Sequence, residues 1–243
     1  MTRTMTISSQ HNEKLKGLRK LRQRRRERDR LGQFVAEGED LLAAADAAGW
    51  TPVERFAVSG SGLPGIEVDA AALRSVTELA SGTRTLAIYN ERWEATPLGP
   101  LCVYLHGVGD PGNVGTVLRS SAAFGASCVA LGAGSADPFS PKAVRASMGA
   151  VFSVPVAHAA PAELPGVTVA LDAGAERTLA EVAAVLPAGA EVSLLVGAER
   201  DGLPRPVVDD ADHAARIPIA TESLNAAIAA AVALYELSKR SNS

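Results

Sequence analysis

The polar residues just before the last helix of the chain are the strongest candidates for chemistry. The segment 217–225 reads Ile-Pro-Ile-Ala-Thr-Glu-Ser-Leu-Asn and leads into a nearly unbroken apolar run that ends near Tyr235. Ser223 offers a hydroxyl and Asn225 a carboxamide beside the free N–H groups of a helix N-terminus. A helix without a polar face must be covered by its own domain or by a second subunit. The pattern predicts a ligand site at a subunit interface, with Ser223 as the N-cap of a helix over 223–239 and Asn225 buried in its first turn.

A second candidate is the glycine-rich segment 107–112, which reads Gly-Val-Gly-Asp-Pro-Gly between a predicted strand and a predicted helix. Its Gly-x-Gly-x-x-Gly spacing is that of a dinucleotide-binding loop, with Asp137 in place of the acid that binds the ribose. In such loops the helix begins among the glycines. Here Asp110-Pro111-Gly112 is a turn sequence, which predicts a helix start at Asn113 or Val114. A dinucleotide-dependent oxidoreductase is therefore the weaker interpretation.

In the stronger interpretation, Asn113 caps this helix and Arg119 projects from it one to two turns later. Farther along the chain, Glu199 follows a predicted strand that leaves the sheet through Gly197. These two segments and the 217–225 turn resemble, in the same order, the three signature motifs of the SpoU (TrmH) branch of the SPOUT methyltransferases. Residues 141–150 resemble a further helix of that family. The third motif departs from the family pattern, because Ile219 stands where Met is usual and the loop 220–222 is short and lacks glycine.

This resemblance implies transfer of a methyl group from S-adenosylmethionine to a ribose 2′-hydroxyl, of rRNA in the first place and of tRNA as the less favoured substrate. The implied catalytic residues are Arg119, Asn113, Glu199, Ser223 and Asn225. The implied cofactor-binding residues are Val196, Gly197, Ile217, Ile219, Ser223, Leu224 and Asn225. The family assigns Arg119 to the hydroxyl proton, as a base or as a cation, and a guanidinium that keeps its proton suits the cation better. Glu199 is expected to orient Arg119 or the RNA.

The elements that must position these residues follow from alternating strand and helix patterns, which predict an α/β protein. Short apolar runs at 101–105, 128–132, 151–156, 167–171, 192–196 and 214–219 predict strands buried on both faces of a largely parallel sheet. A Pro- and Gly-containing segment separates a small N-terminal α/β/α domain, residues 1–92, from a catalytic domain, residues 98–243. The resemblance implies that the first domain is a ribosomal-protein-like RNA-binding domain. It also implies that the second contains a deep trefoil knot and pairs two chains into a homodimer.

Basic residues are concentrated at the N-terminus of a chain whose formal net charge is −3. Residues 1–30 contain eleven Lys and Arg against three acidic residues, so this segment carries +8 and the remaining 213 residues carry −11. Three leucines at helical spacing predict one helix over 12–30. Its basic faces suit either a solvated surface or contact with phosphates. With the methyltransferase resemblance, the expected RNA-binding residues are Lys14, Lys16, Arg19, Arg22, Arg24 and Arg145.

The remaining features restrict the cellular setting and the class of site. Cys102 and Cys128 lie in apolar runs and are expected to be buried thiols in a reducing compartment. The four histidines are scattered, so no metal site is predicted. The sequence has no signal-peptide pattern and no apolar run of membrane-spanning length, which predicts a cytoplasmic protein. An RNA-binding module of the same fold that lacks catalytic activity remains an alternative.

Overall fold

The computed structural model describes residues 6–77, 82–221 and 223–242, and the chain forms two β-sheets there. The first sheet has the strand order β1-β4-β2-β3, in which β4 is antiparallel to both neighbours and β2 is parallel to β3. Its strands are β1 (Gln33–Glu37), β2 (Glu54–Val58), β3 (Ile66–Val68) and β4 (Thr85–Asn90). The accompanying helices are α1 (Glu13–Gln23), α2 (Arg25–Leu31), α3 (Glu39–Ala47) and α4 (Ala70–Arg74).

The basic N-terminal segment forms two helices, so the prediction of one continuous helix over 12–30 is wrong. The backbone is extended at Arg24, between α1 and α2. Leu15, Leu18 and Leu21 are fully buried and pack α1 against the first sheet. The guanidinium of Arg28 donates a hydrogen bond of 2.9 Å to the carbonyl of Leu21, which would otherwise lack a partner at the end of α1. A buried α2 side chain therefore stabilises the break.

The second sheet has six strands in the order β10-β8-β9-β5-β6-β7, and every neighbouring pair is parallel. Its strands are β5 (Leu101–Leu105), β6 (Cys128–Leu131), β7 (Val156–His158), β8 (Val167–Leu171), β9 (Val192–Val196) and β10 (His213–Ala215). The helices that follow them are α5 (Pro111–Phe124), α6 (Pro141–Ala146), α7 (Leu179–Val185), α8 (Arg205–Asp209) and α9 (Ala226–Ser238). Short 3₁₀ helices occupy Ala150–Phe152, Pro161–Glu163 and Lys239–Asn242. This parallel sheet covered by helices confirms the predicted α/β class.

Three predicted elements end earlier or later than their apolar runs suggested. The strand expected at 151–156 is a 3₁₀ turn followed by β7, because Met148 and Gly149 adopt positive φ and the chain turns there. The same turn ends α6 at Ala146 rather than at Gly149. The strand expected at 214–219 stops at Ala215. Pro218 lacks an N–H for a further ladder bond, and Arg216 pairs instead with Arg177.

One hydrophobic cluster contains residues of both sheets. Phe34 and Tyr89 from the first sheet pack with Phe152 of the second unit, and the Trp50 indole N–H donates to the Phe152 carbonyl at 2.8 Å. Arg28 also crosses between the units, because its guanidinium pairs with Asp137 at 2.7 Å and both side chains are nearly buried. The N-terminal unit is therefore packed directly against the parallel sheet.

Two negative observations apply to the described residues. None of the helices there is long and apolar enough to cross a membrane. The same ranges contain no cluster of His, Cys, Asp or Glu side chains that could hold a metal ion. Cys102 and Cys128 are buried, free, and opposite each other on β5 and β6, as expected of small apolar side chains in a parallel sheet.

Candidate active site

Three residues from distant parts of the sequence form one hydrogen-bonded chain beyond the carboxyl ends of β5 and β9. The Asn113 amide N–H donates to Glu199 Oε1, and the Asn225 amide N–H donates to Asn113 Oδ1 at 3.1 Å. The two hydrogen bonds join residues that are 86 and 112 positions apart. Because its oxygen and its nitrogen are both engaged, Asn113 has a fixed amide orientation. The structure thus brings together one residue from each of the three predicted motifs.

Asp110, which the sequence analysis did not select, positions Asn113. Asp110 is the N-cap of α5, and its Oδ1 accepts hydrogen bonds from the N–H groups of Gly112 at 2.6 Å and Asn113 at 3.2 Å. The ammonium of Lys142 lies 2.6 Å from Oδ2, and with the two N–H groups it holds the pKa of this carboxyl below its usual value. Asn113 is therefore not the cap that we expected. The Asp-Pro pair just before it was itself a signal for a cap followed by a first-turn proline.

The helix start also corrects the argument against a dinucleotide site. α5 begins at Pro111, within the glycine-rich segment, and not at Asn113 or Val114. A helix that begins among the glycines is what the dinucleotide fingerprint requires, so the helix start gave no valid reason to reject that interpretation. Gly115 serves another purpose, because a side chain there would collide with Ala143 and Ala146 of α6. It allows the two helices to pack closely.

Asn225 has a double role that explains its place in the turn. It is the N-cap of α9, with Oδ1 accepting from the N–H groups of Ala227 at 3.0 Å and Ile228 at 3.2 Å, while its amide N–H reaches Asn113. The predictions that Ser223 caps this helix and that Asn225 is buried inside it are therefore wrong. Ser223 and Asn225 are both exposed. Because α9 begins only after its cap at Asn225, the helix starts later than the apolar pattern suggested. Glu222, in the short loop, lies outside the described residues.

The loop after β9 forms a tight hairpin-like turn around Gly197. Ala198 and Gly202 exchange backbone hydrogen bonds of 3.1 and 3.0 Å. A side chain at Gly197 would overlap the backbone of Gly202 and Leu203. Only glycine therefore allows the two backbone segments to approach each other so closely here. The turn places Glu199 beside Asn113.

A cavity of about 590 Å³ lies beside this chain of hydrogen bonds. Its walls include six of the seven predicted cofactor-binding residues, namely Val196, Gly197, Ile217, Ile219, Ser223 and Leu224. The seventh, Asn225, follows Leu224 and is not part of the cavity wall, whereas Glu199 is. Sequence analysis missed the contribution of the loop after β8, where Asp172 pairs with Arg205 at 3.4 Å. An acidic residue directly after a buried parallel strand was the available signal.

Arg119 is the one predicted catalytic residue that stands apart. It lies on the exposed side of α5, and within the described ranges it forms no hydrogen bond or ion pair. Glu199 is bonded to Asn113, so the expectation that it orients Arg119 is not what the structure shows. The helix that bears Arg119 packs along α9, where Tyr235 contacts Phe124 of α5 with ring centroids 5.9 Å apart.

The predicted RNA-binding residues differ in how accessible their charges are. The structure corrects the prediction that Arg22 binds RNA. Its guanidinium pairs with Glu37 at 2.9 Å and donates to the Val76 carbonyl, and only 7% of its side chain is exposed. Lys14 pairs with Glu54, Lys16 pairs with Glu13 at 2.7 Å, and Arg19 donates to Ser75 at 3.3 Å. Arg24 and Arg145 are exposed. Most of these cations are therefore already engaged with groups of the protein itself.

Comparison with known proteins identifies the family of the chain. Residues 100–235, more than half of the chain, match the model of the SpoU rRNA Methylase family. The chain belongs to the SpoU rRNA methylase family. Residues 12–87 match a second model, the MRM3-like substrate binding domain. The family assigned from the three motifs is thus confirmed, and the oxidoreductase interpretation is wrong because the glycine-rich segment lies within the SpoU match.

Relatives and solved structures extend over nearly the whole chain. The chain is 29% identical to the 23S rRNA (guanosine(2553)-2′-O)-methyltransferase RlmP of Bacillus subtilis, over 95% of this chain and 98% of that protein. Its fold is similar to that of the AdoMet-bound rRNA methyltransferase from Sinorhizobium meliloti, with a TM-score of 0.84 and 30% identity over 97% of each chain. It also resembles the AdoMet complex of the SpoU methyltransferase AviRb from Streptomyces viridochromogenes, with a TM-score of 0.83 and 25% identity, over 96% of this chain and 99% of that one. The trefoil knot follows from membership of this family.

Proposed function

We propose that this protein is an S-adenosylmethionine-dependent methyltransferase that modifies a ribose 2′-hydroxyl of rRNA, with tRNA as the less favoured substrate. The observation that carries the proposal is the hydrogen-bonded chain of Glu199, Asn113 and Asn225 beside a cavity of about 590 Å³. The similarity to a 23S rRNA 2′-O-methyltransferase and the match to a substrate-binding domain support RNA as the partner. We expect the protein to act in the cytoplasm.

The residues around the cavity suit S-adenosylmethionine. The volume lies within the range of small-molecule sites, about 300–1,000 Å³. Val196, Ile217 and Leu224 supply apolar walls for the adenine, and the loop at Gly197 brings backbone groups to the cavity surface. The carboxylates of Asp172 and Glu199 are acceptors for the cationic groups of the cofactor. When bound, S-adenosylmethionine supplies an electrophilic methyl group on a good leaving group.

The protein's part in the reaction is to align the hydroxyl and to stabilise the negative charge that develops on its oxygen. Asn113 is fixed on both sides by Glu199 and Asn225, so it provides a rigid edge for the RNA. Glu199 keeps further lone pairs that can accept a hydrogen bond from a ribose hydroxyl and take up its proton as the methyl group is transferred. Arg119 acts as a cation rather than as a base, because a guanidinium remains protonated in proteins. Ser223 offers its hydroxyl at the cavity wall.

We further propose that two chains pair through α5 and α9. Three large apolar side chains on α9 are exposed, Ile228 by 53%, Val232 by 41% and Tyr235 by 54%. A second copy that covers this face would remove them from water, which is favourable by roughly 25 cal/mol for each Å² of apolar surface. Arg119 is exposed on α5, the helix that packs along α9. Pairing would therefore place this otherwise unpartnered cation at the interface, within reach of the partner subunit's cavity.

Mixed dimers test this arrangement directly. Arg119→Ala and Asn225→Ala chains are each expected to be inactive as homodimers. If Arg119 acts across the interface, one site in each mixed dimer is intact and methyl transfer returns. Absence of activity in mixed dimers of proven composition would place Arg119 in the site of its own chain. A monomer by sedimentation analysis would contradict the dimer itself.

The function is tested by calorimetric titration with S-adenosylmethionine, followed by methylation of rRNA. We expect about one cofactor per chain and a 2′-O-methyl group that blocks alkaline cleavage at one rRNA position. NAD serves as the control ligand and should not bind. Cofactor binding without transfer to rRNA or tRNA would favour an RNA-binding module over an enzyme.

A further inference from the structure

A row of stacked rings runs from the hydrophobic core to the surface at the edge of the parallel sheet. Phe34 packs on Phe139 with ring centroids 4.8 Å apart, and Phe139 meets the edge of Trp93 at 5.2 Å. The indole of Trp93 then stacks on the imidazole of His158, with centroids 4.0 Å apart and planes 20° from parallel. His158 ends β7 and is exposed, so the row terminates in a ring that faces solvent.

The indole behind this surface ring is held in place by its own contacts. The indole N–H of Trp93 donates to Glu91 Oε2 at 2.9 Å, and the pKa of this carboxyl is raised by burial. Trp93 is half-buried between Phe139 and His158. A flat ring fixed from behind is a suitable surface for stacking, because little side-chain freedom is lost when a second ring is added.

Two adjoining cavities, of about 230 and 550 Å³, open beside the ring. Both are lined by His158, Arg25, Gly132 and Ser135. Arg25 projects from α2 and is 60% exposed, with a distant ion pair of 3.7 Å to Asp29. Its guanidinium is accessible to an anion. The carboxylate of Glu163 at the wall of the larger cavity is an acceptor for amino groups.

The cavities lie at the carboxyl edge of the sheet, as the active site does. They are bordered by the loop after β6. Gly134 of that loop lies against Gly107 of the loop after β5, because a Cβ atom added at Gly134 would be 3.3 Å from Gly107 Cα. Gly107 in turn faces Ala198, since a Cβ atom added at Gly107 would be 3.5 Å from Ala198 Cβ. Ala198 lines the cavity of about 590 Å³ at the active site. Two loop contacts therefore connect the His158 surface with the proposed cofactor site.

We infer that His158, backed by Trp93, and Arg25 form a binding site for an unpaired nucleotide of the RNA substrate that flanks the methylated one. The base stacks on the open face of His158, and Arg25 contacts its phosphate. Proteins read single-stranded RNA through this combination of an aromatic surface and a nearby cation. The inference rests on the proposed function, because the RNA strand is taken to run from the active site along the carboxyl edge of the sheet.

Binding of a fluorescently labelled single-stranded decaribonucleotide to the full chain tests the site. His158→Ala should weaken binding by on the order of tenfold, since stacking on one aromatic ring contributes about that much or more. His158→Phe should retain most of the affinity. His213→Ala is the matched control, because His213 lies on β10 at the opposite edge of the sheet. Arg25→Ala should reduce the slope of log affinity against log salt by about one. The same RNA in duplex form should be insensitive to His158→Ala.

A photocrosslink separates contact from structural support. A decaribonucleotide containing 4-thiouridine should crosslink to the peptide that holds His158 or Trp93, and the crosslink should be lost in His158→Ala. In methylation assays, His158→Ala should raise KM for RNA while the Kd for S-adenosylmethionine stays at the wild-type value. Equal affinity and crosslinking in wild-type and His158→Ala proteins would overturn the inference even if rRNA is methylated. Crosslinking at this site without cofactor binding or methyl transfer would instead overturn the proposed function alone.

Discussion

The basic N-terminal helices and the loops of the active site differ in how well their sequences predict which side chains are accessible and which are in contact. α1 and α2 contain most of the excess positive charge, yet the side chains of Arg22 and Arg28 are largely covered and pair with Glu37 and Asp137. The active-site loops have no comparable excess of positive charge, but Asn113, Glu199 and Asn225 meet across long stretches of chain. Charge density therefore does not locate accessible cations, whereas the polar residues of the three motifs come together in the fold.

The physical reason lies in the cost of burial. A buried guanidinium needs a carboxylate and carbonyl partners, and Arg28 satisfies this requirement with Asp137 and the Leu21 carbonyl. Such an arginine holds domains together and cannot neutralise phosphate. Arg119 is the opposite case, because it is exposed on α5 and forms no ion pair within the described ranges.

The largest expected effect is on Arg119. Arg119→Ala should lower the rate of methyl transfer about a thousandfold, because a cation that stabilises developing charge is lost. Arg119→Lys should also lower the rate of methyl transfer strongly, since lysine lacks the planar guanidinium group. Single-turnover transfer of labelled methyl groups to rRNA measures the rate. Arg177→Ala, an exposed arginine before α7, is the control. Near-normal turnover by Arg119→Ala would contradict the contrast between an accessible cation at the active site and the paired arginines of the N-terminal helices.

The next effect is on stability at the junction of the two sheets. Arg28→Met should lower the free energy of unfolding by about 3 kcal/mol, because the Asp137 carboxylate is left buried without its partner. Arg28→Met combined with Asp137→Leu should recover much of this loss. Urea titration of both variants checks the prediction, with the exposed Arg26→Met as the control. A loss confined to RNA binding, with normal stability, would show that Arg28 belongs with the accessible cations.

A smaller effect is expected at the N-cap of α5. Asp110→Ala should destabilise the protein by about 1 kcal/mol, since two N–H groups lose their acceptor. Asp69→Ala is a matched control, because Asp69 caps α4 without a side-chain hydrogen bond and should cost much less.

The pH dependence of the same comparison follows from the lowered pKa of Asp110. A carboxyl whose pKa is lower in the folded than in the unfolded state stabilises the fold above its unfolded pKa, and this contribution is lost as the pH falls through the folded value. The difference between wild type and Asp110→Ala should therefore be constant near neutral pH and shrink below about pH 4. A difference that grows in acid would contradict the assigned ion pair with Lys142.

The smallest effect concerns single exposed cations of α2. Arg26→Ala should weaken RNA binding only a few-fold and lower the salt slope by about one, as expected for loss of one phosphate contact. Arg205→Ala, on the exposed surface of α8, is not expected to change the slope. Filter binding at several salt concentrations measures both. An equal change in both slopes would mean that the exposed arginines of α2 contribute no more to phosphate contact than an arginine elsewhere on the surface.

Much of the parallel sheet could be predicted from local pattern. β5, β8 and β9 have the predicted bounds, because continuous apolar runs bounded by turns define buried strands. Errors arose where a local conformation interrupted the run, as at Met148 and Gly149, or where Pro218 lacked a donor. The division between residues 92 and 98 stays a prediction, although the two sheets lie on either side of it.

The sequence by itself determined the family, the order of the three motifs and the apolar character of α9, because each depends on residue types within a short segment. Only the tertiary structure decided that Asp110 rather than Asn113 caps α5, that Asn225 caps α9 while bonding Asn113, and that Arg22 faces inward. It also decided that Trp93 stacks on His158. These features depend on which distant groups become neighbours, since a donor or a charge takes whichever partner the packed chain places within about 3 Å.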